Sequence, residues 1–178
     1  MDTEARPVTV RRVEAPEPGL VPCLVTLLQD SVHGGASVGF LAPVTVEAAQ
    51  RHWAGVFDQL AGNMRLWVAE SGARVVGSVQ LELCGKENGR HRAEVQKLFV
   101  HSALRGRGIG SHLLQVVEAY AAGHGRTLLV LDTLRGSFAE EMYRRLGWQF
   151  VGYIPGYAGK PDGELEATAV FYKQIRPV

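Results

Sequence analysis

The stretch VQKLFVHSALRGRGIGSHLLQ, residues 95–115, decides the fold because it passes from strand to turn to helix. Residues 93–100 alternate in a way that predicts a strand, with Val95, Lys97 and Phe99 on one face and the even-numbered residues on the other. The glycine-rich segment RGRGIG follows shortly after this strand. Apolar side chains then recur at helical spacing over residues 109–121, which predicts an amphipathic helix.

The turn between this strand and this helix is suited to an anionic ligand. Gly106, Gly108 and Gly110 allow the backbone to approach a ligand closely and to adopt conformations that side chains forbid. The first amides of a helix lack partners within the helix, and the helix dipole adds partial positive charge at the same end. We therefore expect a pyrophosphate group to accept hydrogen bonds there.

Three other interpretations of the turn compete with this one. The dinucleotide-binding fingerprint needs G-x-G-x-x-G, but position 111 is serine. A nucleotide-hydrolysing loop needs a terminal Gly-Lys followed by Ser or Thr, which these glycines lack. The third interpretation is a turn whose glycines serve geometry alone, and the two arginines together with the downstream motif YRRLGW argue against it.

The chain from Val95 onward resembles the GNAT acetyltransferases. Arg105, Gly108 and Gly110 match the family signature Q/R-x-x-G-x-G/A, and the flanking motifs LFV and YRRLGW resemble the neighbouring strand and helix of the family. The resemblance implies an α/β GNAT acyl-CoA acyltransferase fold, with a central mixed, mostly antiparallel twisted sheet flanked by helices. A fuller pattern that continues to Lys173 is similar to the tabtoxin-resistance acetyltransferases.

This resemblance implies that acetyl-CoA is the cosubstrate and assigns residues to its binding. The strand end holds the pantetheine arm through backbone groups, and the glycine-rich turn with the helix start cradles the pyrophosphate. Ser137 opens a later helix, where we expect it to cap the helix and, more weakly, to contact the cofactor. The residues so assigned are Leu98, Phe99, Val100, Arg105, Gly106, Arg107, Gly108, Ile109, Gly110, Ser111 and Ser137.

Acetyl transfer to an amine needs a base for the amine proton and an acid for the departing thiolate. Tyr143 resembles the family's tyrosine near the coenzyme sulfur, and an ordinary tyrosine pKa of about 10 keeps the phenol protonated at neutral pH. Asp132 ends the apolar strand LLVLD, where a buried carboxylate needs a partner or a function, and the resemblance implies that it is the base. Glu94 and Glu82 are rival bases. The structural alternatives are a core tyrosine and an aspartate that caps a turn with Thr133.

Hydrophobic patterns predict further strands and helices outside the decisive stretch. Residues 71–73 predict a hairpin turn, and the segments 34–39 and 154–164, both rich in glycine, predict loops. Repeats and linkers are not visible, so the sequence predicts a single domain over residues 1–178. The predicted strands cover residues 8–13, 66–70, 75–83, 127–131, 148–153 and 167–175, and the predicted helices begin at residue 20 and cover 46–60 and 137–146.

Composition argues against several classes of function. The 178 residues carry 19 Lys and Arg and 18 Asp and Glu, a net charge of +1, so no basic field favours nucleic acid. The histidines show no metal-ligand spacing, and no metal is expected. The start MDTEARPVTV lacks a leader pattern, and no run approaches the roughly 20 apolar residues that span a membrane. Cys23 and Cys84 are expected as free thiols, which favours a cytoplasmic protein.

The leading hypothesis is transfer of an acetyl group from acetyl-CoA to a primary amine of a small molecule. The closest resemblance implies an amino-acid-like toxin or antibiotic as acceptor, with antibiotic resistance as the role. Acetylation of a protein and noncatalytic binding of acyl-CoA are the alternatives. An enclosed pocket under Gly34–Gly39 and Pro155–Asp162 would favour the small acceptor. The apolar run Ala167–Ile175 suits a homodimer contact as well as the core.

Overall fold

The computed structural model of the chain describes residues 7–177, so the expectation about the first residues, MDTEAR, lies outside it. Short 3-10 turns at Glu87–Gly89 and Ser102–Leu104 flank the fourth strand. The strands and α-helices of the described part are, in chain order, β1 (Val8–Val13), α1 (Leu20–His33), α2 (Val46–Asp58), β2 (Met64–Ser71), β3 (Arg74–Leu83), β4 (Arg92–Val100), α3 (Ile109–Gly123), β5 (Leu128–Leu134), α4 (Phe138–Arg145), β6 (Gln149–Gly159) and β7 (Leu165–Gln174).

Residues at the helix starts explain where the helices begin. The Thr45 side chain caps α2 by accepting a hydrogen bond from the Ala48 amide, and Ser137 caps α4 by accepting one from the Glu140 amide. The N-caps of α1 and α3 are instead glycines, Gly19 and Gly108, in left-handed conformation. All predicted helices and strands are confirmed, apart from differences at some of their ends.

The strands form one sheet in the order β1-β2-β3-β4-β5-β7-β6. Every neighbouring pair is antiparallel except β4 and β5, which run parallel and are joined through α3. The predicted mixed, mostly antiparallel sheet is therefore confirmed. Strand β7 lies between β5 and β6, so both of its backbone edges are used within the sheet. A homodimer contact through the run 167–175 stays a prediction.

Each face of the sheet carries its own hydrophobic core. Leu113 and Val117 of α3 are buried on one face, in a cluster that also contains Tyr143 and Phe171. Leu24 and Leu28 of α1 and Trp53 of α2 are buried in a second cluster, which contains Phe99 of β4. The central strands are covered on both sides, which is why they are so apolar in sequence.

A β-bulge at Lys97 overturns the predicted alternation of β4. Ser78 of β3 pairs with Phe99, whereas Gln80, two residues on, pairs with Gln96, so β4 contains one extra residue. Lys97 lies at this bulge and has a φ of 50°. The extra residue shifts the pattern, so Val95 and the even-numbered Leu98 pack on one core and Phe99 packs on the other.

Strand β6 is longer than its sequence predicts. The segment 154–164 was expected to be a loop, but β6 runs on to Gly159 and the turn is confined to residues 160–164. Pro155 is tolerated because β6 is an edge strand, where a missing amide donor leaves no partner unsatisfied. The pairing with β7 is also irregular between Ile154 and Ala158, which accommodates the proline.

A methyl group at Gly77 of β3 has no room in this packing. A Cβ atom there would lie 3.0 Å from the Phe99 carbonyl oxygen and 3.1 Å from Leu113 Cδ1. We expect the substitution Gly77→Ala to lower the free energy of unfolding by about 1–3 kcal/mol, because strand and helix must move apart. Urea denaturation followed by circular dichroism measures this loss.

Gly152→Ala is the matched control within a strand. A Cβ atom at Gly152 has nothing within 4 Å, and its strand β6 lies at the sheet edge. We expect this variant to change the free energy of unfolding by less than about 0.5 kcal/mol. Equal losses in the two variants would show that the close contact at Gly77 does not limit the packing.

Candidate active site

A large cleft opens where β4 and β5 separate. The two strands pair only from Arg92 with Leu128 to Glu94 with Val130, and both continue beyond this point. The cavity has a volume of about 860 Å³ and reaches from the start of α3 to the loop after α1. A gap between parallel strands exposes backbone groups that no neighbouring strand satisfies, so it suits an extended ligand that supplies partners.

The start of α3 is at one end of this cleft and is open to a ligand. Its N-cap, Gly108, has a φ of 79° and offers no side-chain cap, so the amides of the first turn are not bonded by a capping side chain. Ile109, Gly110 and Ser111 all line the cleft. These amides and the helix dipole fit a phosphate or pyrophosphate group.

Gly110 also sets how closely α3 approaches its neighbours. A Cβ atom there would lie 3.4 Å from the Met142 sulfur and 3.6 Å from Val100 Cγ2. The hydrogen at this position therefore lets the helix start lie close to β4 and α4. The glycine-rich turn combines an open set of amides with tight packing behind them.

The two arginines of the turn have different locations. Arg105 lines the cleft, and its Nε donates a hydrogen bond of 3.1 Å to the Val100 carbonyl at the end of β4. Its guanidinium also lies next to Gly34, at 3.3 Å from the position of a Cβ atom there. Arg107 is exposed and does not line the cleft, so the structure does not bring it together with the other predicted residues.

The strand end and Ser137 lie along the same cleft. Leu98 and Val100 are half-buried against the core under α3, whereas Phe99 is 1% exposed and points into the opposite core. All three line the cleft. Ser137 Oγ accepts the Glu140 amide at 3.2 Å, so the expected cap is present, and the residue also reaches the cleft.

Tyr143 is buried at the wall of the cleft between the two strands. Its ring packs against Trp148 at 5.8 Å and Phe171 at 6.0 Å between centroids. Its hydroxyl has no hydrogen-bond partner within residues 7–177, although the side chain lines the cleft. Burial raises the pKa of the Tyr143 phenol above its usual range, and the negative charge of Asp132 raises it further. The phenol is therefore a proton donor at neutral pH.

Asp132 lies on β5 with its side chain in the cleft. Asp132 is exposed, so the cost that burial would impose on a carboxylate at the end of this apolar strand does not arise. Its Oδ2 accepts a hydrogen bond of 2.7 Å from Thr168 of β7, which fixes its orientation. Thr168 is a site residue that the sequence analysis missed, because the pairing of β5 with β7 is a long-range feature.

The structure separates the two rival carboxylates. Glu94 lines the cleft, whereas Glu82 lies behind it, held by Asn63 at 3.2 Å and by Gln96 at 2.9 Å. Gln96 also donates to Glu94 at 3.0 Å, so one amide bridges both groups. Burial raises the pKa of Glu94; the Gln96 hydrogen bond opposes this rise, while the charges of Glu82 and Asp132 add to it.

The loop after α1 meets the end of β6 and the turn after it at the other end of the cleft. Ser37 Oγ donates a hydrogen bond of 3.1 Å to the Gly159 carbonyl, and the Ala42 amide donates one of 2.9 Å to the Pro161 carbonyl. Residues 34–39 and Tyr157 line the cavity under this junction. The two segments that were predicted to border the acceptor pocket, residues 34–39 and 155–162, are therefore joined by hydrogen bonds to backbone carbonyls.

Neither a metal centre nor a membrane span emerges from the described part of the chain. Across residues 7–177, no three His, Cys, Asp or Glu side chains are grouped to hold a metal ion. None of the helices there combines the length and apolar character needed to cross a membrane.

Comparison with known proteins identifies the family. Residues 62–150, half of the chain, match the model of the acetyltransferase (GNAT) domain. An uncharacterized N-acetyltransferase from the hisH-hisA intergenic region of Azospirillum brasilense is 30% identical over 127 residues, which cover 70% of this chain and 74% of that protein. The chain therefore belongs to the GNAT acetyltransferase family. The narrower resemblance to the tabtoxin-resistance group stays a prediction.

Other relatives share only part of their length with this chain. N-acetyltransferase family 8 member 2 of Rattus norvegicus is 37% identical over 89 residues, which are 49% of this chain but 39% of that protein. A Salmonella typhimurium structure, described as a candidate acetyltransferase with its cofactor acetyl-CoA, superimposes with a TM-score of 0.76 and 18% identity over 95% of this chain and 94% of the other. This structural similarity supports the fold.

The left-handed Gly108 gives a direct test of the helix start. We expect Gly108→Ala to weaken binding of coenzyme A at least about 10-fold, because a Cβ atom in that conformation distorts the turn that aims the amides. Isothermal titration calorimetry with coenzyme A measures the loss.

Gly125→Ala is the control at the other end of α3. Gly125 has a φ of 70° and nothing within 4 Å of a Cβ atom, so the backbone cost is similar while the cleft is distant. We expect both variants to lose about 1 kcal/mol of stability and only Gly108→Ala to lose affinity. Unchanged affinity in Gly108→Ala would remove the helix start from coenzyme binding.

Proposed function

We propose that this protein transfers an acetyl group from acetyl-CoA to a primary amine of a small molecule. The observation that carries the proposal is the convergence of three features on one cleft: an uncapped helix start, a gap between β4 and β5, and a buried phenol facing carboxylates. Family membership supports the reaction type, and the described neighbour with acetyl-CoA supports the cosubstrate.

The residues of the cleft fit each part of that cosubstrate. The amides of Ile109, Gly110 and Ser111 would hold the pyrophosphate, and the unpaired edge of β4 at residues 98–100 would hold the pantetheine arm. Arg105 keeps the end of β4 in place through the Val100 carbonyl. Acetyl-CoA supplies the activated acyl group as a thioester, so the protein contributes mainly position and proton transfer.

The carboxylates on the cleft wall are the candidates for the base that takes the proton of the amine. In the proposed reaction the amine nitrogen forms a bond to the thioester carbon, the carbon–sulfur bond breaks, and one amine proton is lost to a base. Asp132 is exposed to the cleft and oriented by Thr168, which suits this role, either directly or through water. Glu94 shares the cleft wall and remains the rival.

Tyr143 is proposed to return a proton to the departing thiolate. Its hydroxyl faces the cleft without a partner within the described residues, and burial together with Asp132 raises its pKa, so it is protonated and free to donate. The phenolate formed would be neutralised from solvent. A core tyrosine with only a structural role would gain nothing from an unbonded hydroxyl.

Two segments that join at one end of the cleft support a small acceptor over a folded protein. The hydrogen bonds from Ser37 and Ala42 connect residues 37–42 to residues 159–161, at the end where the acceptor is proposed to bind. An amino-acid-like toxin or antibiotic is the class that we propose, with resistance as the role. Thioester consumption measured across free amino acids, simple amines and peptide N-termini tests this. Binding of acetyl-CoA without turnover on any acceptor would favour a sensor.

The phenol provides one test of the mechanism. We expect Tyr143→Phe to lower kcat about 100-fold or more, because a general acid is lost, while the affinity for coenzyme A is unchanged. Packing should survive, since the hydroxyl has no partner among the described residues. Tyr172→Phe on β7, outside the cleft lining, is the control and should keep wild-type kcat. A Tyr143→Phe enzyme with wild-type kcat would exclude the phenol as the acid.

The choice between carboxylates is a second test. We expect Asp132→Asn to lower kcat/KM about 100-fold or more, because the base is lost, and Glu94→Gln to lower it far less. If Glu94→Gln instead gives the larger loss, Glu94 is the base. Because burial raises the pKa of Glu94, kcat/KM should then rise at higher pH than an ordinary glutamate gives.

A further inference from the structure

Lys97 has a position that acetyl transfer as described above does not explain. It occupies the bulge of β4 with a φ of 50°, the one non-glycine residue with positive φ in the described part of the chain. It is half-buried and lines the cleft. Within residues 7–177 its ammonium makes no ion pair and no hydrogen bond, although seven other basic-acidic pairs lie within bonding distance.

The surroundings of Lys97 lie on the acceptor side of the cleft. Its Nζ lies 3.5 Å from the position of a Cβ atom at Gly39, in the loop after α1 that lines the proposed acceptor end of the cleft. Burial lowers the pKa of Lys97, and the nearby charges of Asp132 and Glu94 oppose that change. His52 faces it from α2; burial first, and then the charge of Lys97, lower the pKa of His52 to about 4, so that imidazole is neutral.

Two disfavoured features coincide at this residue. A left-handed backbone is disfavoured for any side chain with a Cβ atom, and glycine would adopt it freely. A half-buried ammonium without a bonded partner loses hydration that nothing in the described chain replaces. Neither feature stabilises the fold, so the lysine is better explained by a ligand that completes its hydrogen bonds.

We propose that Lys97 binds an anionic acid group of the acceptor, a carboxylate in the first instance, while Asp132 and Glu94 face the amine. The inference rests on the proposed function and narrows it: the acceptor is a zwitterion of the amino-acid type. A carboxylate pairs with the ammonium through short charge-assisted hydrogen bonds, and an amine lacking the acid leaves Lys97 unpaired. In this arrangement the ammonium of Lys97 binds the acid group of the acceptor, and the carboxylates of the same cleft face its amine.

The bulge allows a variant that removes the amine without straining the backbone. In Lys97→Gly the ammonium is lost, whereas glycine favours the left-handed conformation, so the variant should fold at least as well as the parent. Lys97→Arg keeps the charge. Lys86→Gly is the matched control, because Lys86 is exposed and lies outside the cleft lining.

The experiment compares acceptors that differ only in the acid group. Each proteinogenic L-amino acid is assayed with acetyl-CoA beside its α-amide and its decarboxylated amine. We expect the acids to be preferred at least about 10-fold in kcat/KM, and Lys97→Gly to lose about 10- to 100-fold on the best acid, mainly through KM, with its amide unaffected. Lys97→Arg should retain most of the activity on the acid, and Lys86→Gly should match the parent.

A binding measurement gives a readout that does not depend on turnover. Calorimetry of the same acids and amides with the full chain, in the absence of coenzyme A, should detect the acid and lose it in Lys97→Gly. The inference would be overturned if acids and amides were used or bound equally well. It would also be overturned if Lys97→Gly lost the same kcat/KM on acids as on amides. Either result would leave the proposed function intact. No turnover on any amine would overturn the proposed function, and no binding of any acid would overturn the inference.

Discussion

The parallel pairing of β4 with β5 ends after three residue pairs, and the site depends on that limit. Had the pairing continued, the edges of both strands would be bonded to each other and no cleft would exist between them. Separation is possible because each strand remains paired on its other side, β4 with β3 and β5 with β7. The sheet therefore stays whole on both sides of the gap, and the two hydrophobic cores brace it from both faces.

This gap brings backbone amides, carboxylates, a phenol and an ammonium group into one cleft. Backbone amides at the start of α3 supply positive charge at one end, where side chains are small and close packing is needed. Carboxylates from β4 and β5 and the phenol from α4 lie on the walls of the cleft. The half-buried ammonium of Lys97, on the bulge of β4, lines the same cleft near Asp132 and Glu94. Amides fixed by a helix need no reorganisation to meet an anion, whereas the side chains on the strands are oriented by neighbours such as Thr168 and Gln96.

The parts of the molecule that could be predicted are those set by short-range patterns. Strand, glycine-rich turn and helix follow one another within residues 93–123, and their chemistry is local, so the location of the helix start at Gly108 was accessible from sequence. The caps at Thr45 and Ser137 are equally local. The mostly antiparallel sheet, in contrast, came from the resemblance to a family and not from the pattern of residues.

The features that could not be predicted from sequence depend on long-range strand pairing. Strict alternation predicted that Phe99 shares a face of the sheet with Val95. This was wrong, because the extra residue in β4 can be recognised only from the pairing with β3. Pro155 suggested a loop, and only the position of β6 at the edge of the sheet explains why the strand continues through it. The exposure of Asp132 could not be inferred from the apolar residues before it, because it depends on the separation of β5 from β4. In each case the missing information was a neighbour distant in sequence.

Asp30, at the end of α1, connects the two halves of the cleft. Its carboxylate accepts hydrogen bonds from both the amide and the hydroxyl of Ser102, at 2.8 and 2.6 Å, just before the glycine-rich turn. The loop that begins at Gly34 is thereby attached to the segment that carries Arg105, which itself touches Gly34. A molecule that orders one of these segments restricts the other, so the two substrates should influence each other's affinity reciprocally.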